Sequence, residues 1–83
     1  MPYDPGIRVV VYDGTGEKLL GYGTYEGDVT VYVTWADGAI LTEQDPTKAR
    51  PGAQRVEGNP RIRMDDGRIV YGCQVWWGPA PPT

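Results

Sequence analysis

The sequence predicts an all-β domain: a small, antiparallel, strongly curved sheet of about six strands with one long loop. Three observations predict it. Short β-branched or aromatic runs recur, each closed by a glycine turn. No window keeps apolar residues at helical spacing over three turns. Glycine (12) and proline (8) punctuate the whole of an 83-residue chain. That length fits a single domain, residues 1–83.

The elements follow in order. Residues 1–6 read as an N-terminal arm. The first strand is Ile7 to Asp13, with Val9 and Val11 on one side, Val10 and Tyr12 on the other, and Asp13-Gly14-Thr15-Gly16 as its turn. The second, Lys18 to Tyr25, ends at a turn Glu26-Gly27-Asp28. Its Gly21 and Gly23, flanking Tyr22, mark a bend or a close backbone approach. The third, Val29 to Trp35, puts Val29, Val31, Val33 and Trp35 on one side and Thr30, Tyr32 and Thr34 on the other. Asp37-Gly38 suits a two-residue hairpin turn into a short fourth strand, Ala39 to Thr42.

Residues 43–59 hold Pro46, Pro51, Gly52 and Gly58 among mixed charges and read as a long loop. Pro60 to Met64 is a fifth strand, turned by Asp66-Gly67 into a sixth, Arg68 to Trp77. Residues 78–83, Gly-Pro-Ala-Pro-Pro-Thr, cannot continue a sheet and read as a frayed tail. From about residue 7 to 77 this rhythm is similar to that of SH3-like barrels in general architecture. The resemblance implies a barrel and carries no site residues with it.

A two-residue turn at Asp66-Gly67 pairs Met64 with Ile69, Ile62 with Tyr71 and Pro60 with Cys73. Val75 and Trp77 continue that apolar, core side. The other side pairs Arg63 with Val70 and Arg61 with Gly72, then runs on to Gln74 and Trp76. Three strands thus carry large apolar groups on both faces, which one interior cannot bury. An interface covers the second face, or the long loop does.

The net charge of −3 argues against nucleic acid as a partner. The first 47 residues are acidic and the remainder basic, since Lys48, Arg50, Arg55, Arg61, Arg63 and Arg68 outnumber Glu57, Asp65 and Asp66. One cysteine excludes an internal disulfide, and neither a signal peptide nor a membrane-spanning run is legible. The expected location is the cytoplasm, away from membranes.

Chemistry is sparse. The chain has no histidine and no serine, so no Ser-His-Asp triad and no Cys-His pair can form. Cys73 reads as a core residue, and Asp65-Asp66-Gly67 as turn chemistry rather than a calcium loop. No catalytic residue, metal site or cofactor is expected, and the chain reads as a non-enzyme. The candidate interaction surface is Arg61, Arg63, Gln74 and Trp76, because arginine and tryptophan dominate binding hot spots. The expectation is a non-enzymatic, self-associating β-barrel interaction module, a homo-oligomer whose protein partner is unknown. Two alternatives remain: a single-stranded nucleic-acid binder that stacks bases on tryptophan, and a small-ligand binder with an aromatic pocket at a dimer interface.

Overall fold

The computed structural model describes residues 3–35 and 39–81. The chain is all-β, with no helix among the described residues. The strands are β1 Arg8–Tyr12, β2 Leu19–Trp35, β3 Ala39–Thr42, β4 Gln54–Met64, β5 Ile69–Tyr71 and β6 Trp76–Pro79. They form one antiparallel sheet in the order β5-β4-β2-β1-β6, with β3 also pairing β2. The expected Asp37-Gly38 turn lies outside the described residues.

The chain falls into two compact units, Met1–Asp28 with Pro60–Thr83, and Val29–Asn59. In the first, Val9, Val11, Tyr25, Ile62 and Met64 form the buried core, with Tyr3, Ile7, Leu20, Val70, Val75 and Trp77 packed against it. Alternation explains this set. Val9 and Val11 face inward from β1, and their partners on β2 are Gly23 and Gly21. A Cβ on Gly23 would stand 2.5 Å from the Arg63 carbonyl oxygen, so only glycine lets β2 and β4 approach this closely. Trp77 closes the core by stacking on Tyr25 (5.3 Å between ring centroids) and meeting Tyr3 edge-on (5.7 Å). The second unit buries Val31, Val33, Thr34 and Asn59.

The first unit curls strongly. β5 and β6 sit at opposite edges of the sheet, which a flat five-strand ladder would hold roughly 19 Å apart. Only residues 72–75 join them, and these are folded into a turn, Gln74 N–H donating to the Tyr71 carbonyl (2.9 Å). Gly72 is wedged at this point: a Cβ there would lie 2.8 Å from both Pro60 Cγ and Trp77 Nε1. β5 and β6 do not pair among the described residues, so the sheet curls without closing into a barrel.

Five expectations are corrected. Glu26-Gly27-Asp28 is not a turn, because Gly27 takes φ +106° inside a continuous 17-residue strand, a conformation glycine adopts without reversing the chain. The loop is Glu43–Ala53 rather than 43–59, since Gln54–Asn59 supply the hydrogen-bonding partner that the long β2 demands. The β4–β5 register is shifted by one residue: Arg61 pairs with Tyr71, Ile62 with Val70 and Arg63 with Ile69. Its cause is a three-residue loop, Asp65-Asp66-Gly67, closed by Met64 N–H to Arg68 O (2.8 Å), with Gly67 at φ +95°. The sixth strand is broken at residues 72–75, which exposes Cys73 in a turn instead of burying it. Gly78 and Pro79 belong to β6, and Ala80 N–H bonds Arg8 O (3.0 Å), so the proline-rich tail begins later than expected.

Candidate functional site

The site is the outer face of the first unit. β6 pairs with β1 so that Trp77 lies opposite Val11 and Trp76 opposite Tyr12. Val11 is buried, so Trp77 turns to the core and Trp76 outward. Tyr12 also pairs with Leu19 across a bulge after Val11, which gives one cross-strand row, Leu19–Tyr12–Trp76. Two residues along, on the same face, Val10 pairs with Tyr22. Leu19, Tyr22 and Trp76 are 49, 43 and 63% exposed, and Tyr12 is exposed as well. Four of the exposed large apolar side chains thus share one patch.

Trp76 is exposed yet held in place. Its indole N–H donates to the Gly14 carbonyl (3.1 Å). Gly16, at φ +77°, lies under the ring, where a Cβ would sit 3.4 Å from Trp76 Cδ1. The loop beneath is stiffened by Asp13, whose Oδ1 accepts from the Thr15 hydroxyl (2.6 Å), the Thr15 amide (3.1 Å) and the Glu17 amide (3.2 Å). These bonds, the Thr15 hydroxyl first, hold the Asp13 carboxyl below its ordinary range. An open cleft of about 490 Å³ adjoins the ring, lined by Gly14, Gly72, Cys73, Gln74, Val75, Trp76 and Trp77. Partial burial pushes the Cys73 thiol up, away from the reactive thiolate.

The far end of the face is polar. Arg8 forms a bidentate pair with Asp65 (2.6 and 2.7 Å). Glu26 accepts from Arg61 Nε at 2.9 Å and from Arg63 Nε at 3.0 Å, one carboxylate between two guanidiniums. The hydrogen bond from Arg63 lowers the Glu26 carboxyl most, and Arg8 does the same for Asp65.

The four residues singled out from the sequence therefore do not form one cluster. Arg61 and Arg63 lie together on β4 at Glu26. Gln74 and Trp76 lie together beside Gly14. β2 and β1 stand between the two pairs, a separation of roughly 14 Å. Sequence reasoning missed Leu19 and Tyr22, which only the β1–β2 register places beside Tyr12 and Val10.

In the second unit, Trp35 (68% exposed) and Ile40 are exposed, and Trp35 borders an open cavity of about 430 Å³ with Thr34 and residues 50–53. Among the described residues no three acidic or cysteine side chains gather as a metal site would require. Among the same described residues no helix is long and apolar enough to cross a membrane. No protein-family model matches the chain, and no curated protein or solved structure matches it either.

Proposed function

We propose that this chain is a non-enzymatic interaction module, an incompletely closed relative of the SH3-like architecture, that associates with itself and acts in the cytoplasm. The observation that carries the reading is the row Leu19–Tyr12–Trp76 with Tyr22 beside it: a contiguous apolar patch on a small domain, centred on a tryptophan already fixed in one position. Patches of this kind mark interfaces. A side chain immobilised before binding loses little entropy on docking, which is how aromatic hot spots gain affinity.

The nucleic-acid alternative loses support, because two strands lie between Arg61 and Arg63 and Trp76, and both arginines already bind Glu26. The small-ligand alternative keeps the cleft at Trp76, whose lining side chains carry no charge and suit an uncharged ligand.

Light scattering during size exclusion at micromolar concentration tests the reading. The expected mass exceeds one chain and falls on dilution. Trp76→Ala is expected to give the single-chain mass with a thermal melt close to that of the parent monomer. A parent mass of one chain, unchanged on concentrating, refutes self-association.

A further inference from the structure

β6 is an edge strand, and its outer edge is open. Ala80 N–H donates to the Arg8 carbonyl (3.0 Å), so Ala80 turns its backbone groups toward β1. Backbone direction alternates along an antiparallel strand, so Gly78 and Trp76 also face β1, opposite Val10 and Tyr12. Trp77 and Pro79 therefore face away from the sheet. Val75 does the same. The Gln74 carbonyl oxygen stands 3.3 Å from where a Cβ on Gly14 would lie, and the planar peptide points the Val75 N–H the opposite way. Among the described residues no strand pairs with this edge. Gly72 lies against the Trp77 indole, so the turn at 72–75 folds toward the core side of β6, and the open cleft beside Trp76 adjoins the edge.

The edge is also unguarded. Sheet edges are kept from pairing by charged side chains, proline and bulges. β4 carries Arg55 and Glu57 in the half that β5 leaves uncovered, β5 follows Arg68, and β3 runs into Glu43. From Ile69 to Thr83 no residue is charged. Pro79 alone interrupts β6, removing one outward donor beyond Trp77.

Resting on the self-association reading above, we infer that a second copy of this chain pairs with β6 edge to edge and antiparallel, about a two-fold axis at Trp76. Val75 of each copy then faces Trp77 of the other. Each of these residues gives one backbone hydrogen bond and accepts one, so every outward group from Val75 to Trp77 is used. The backbone selects this register. A slide that set Val75 against Pro79 would meet a residue with no N–H to return, and a slide the other way would set Trp77 against Cys73, inside the turn. Trp76 meets its own copy at a non-hydrogen-bonded position, where Cα atoms stand about 4.5 Å apart and side chains are closest. The row Leu19–Tyr12–Trp76 continues there into the same row of the second copy. Gly78 comes opposite Gln74, where the chain turns. Nothing lies within 4 Å of a Cβ on Gly78, which leaves room for that turn.

Backbone amides provide the test. Amide exchange is followed by NMR at two concentrations, one at which light scattering gives the dimer and one at which it gives the single chain. The Val75 and Trp77 amides are expected to exchange roughly tenfold or more slowly in the dimer and fast in the single chain. The Gly78 and Ala80 amides, bonded to β1, are expected to be slow in both. A second arm deletes one outward donor and no side chain. A synthetic peptide 73–83 joined to residues 1–72 at Cys73 carries an ester in place of the Trp76–Trp77 amide. It is expected to weaken the dimer by roughly tenfold or more, since two copies each lose a bond, and to leave the melt of the single chain unchanged. Should the ester chain fail to fold, the exchange measurement on the parent decides alone.

A dimer in which the Val75 and Trp77 amides stay fast, or which the ester leaves at parental affinity, overturns the edge pairing and leaves self-association standing. A parent protein of single-chain mass at every concentration overturns both.

Discussion

Glu26 and Tyr25 are neighbours on β2 that point to opposite faces and set opposite limits on stability. The Glu26 carboxyl is held below its ordinary value, chiefly by the hydrogen bond from Arg63. The stabilisation is therefore complete above the unfolded carboxyl's pKa and is lost as pH falls through the lower folded value. Asp65, lowered by Arg8, adds to the same acid limb. Tyr25 behaves in the reverse sense. Burial first, then its hydrogen bond to Asp28 (2.7 Å), raises its phenol to about 12. The folded state then keeps a proton that the unfolded chain releases near pH 10, so stability falls as pH rises from about 10 to about 12. Urea midpoints against pH check both limbs. Glu26→Gln is expected to flatten the acid limb and leave the alkaline one, and Tyr25→Phe the reverse.

The elements divide by how far their cause is local. β1 and β3 are legible in the sequence because short β-branched runs fix each within a few residues. The close approach at Gly23 is legible too, because glycine within a strand has few other uses. The β4–β5 register is not. Asp65-Asp66-Gly67 serves a two-residue turn or a three-residue loop equally well, and the choice depends on Asp65 N–H reaching Tyr22 O (3.0 Å) on another strand. A register one residue out nonetheless puts Trp77 in the core and Trp76 outside, as the structure does. The turn at residues 72–75 and the change of partner to β1 offset the slip. The candidate site is half legible for the same reason: Trp76 and Tyr12 follow from alternation, whereas their company follows from strand order. The first half of β4 is hidden because its polar residues pair through the backbone. Amide exchange should show this directly. Protection is expected across the β4 residues Arg55–Asn59, with fast exchange through Glu43–Ala53, where few backbone bonds form. Uniformly fast exchange from 43 to 59 would remove that half of β4.

At the scale of the whole molecule, the sheet is assembled from distant parts of the sequence. β1 pairs with β2 next to it in the chain, but its other edge waits for β6. If the chain self-associates through Trp76, a residue of β6, it also follows that the thermal midpoint rises with protein concentration.

That late partner governs how long the folded state survives once formed. Joining Val9–Tyr12 to Trp76–Pro79 closes the longest loop in the sheet, so its entropy is spent last and the contacts around Trp77 are the least developed at the folding barrier. Interactions absent from the barrier act on the escape rate rather than on the rate of formation. Trp77→Leu, which trims the stack on Tyr25, is expected to cost about 2 kcal/mol, to slow folding by less than about threefold and to speed unfolding by about tenfold. Stopped-flow folding and unfolding arms in urea measure the split. A loss that fell mainly on the folding arm would place β6 among the first strands to pair, and the lifetime of the protein would then be decided elsewhere.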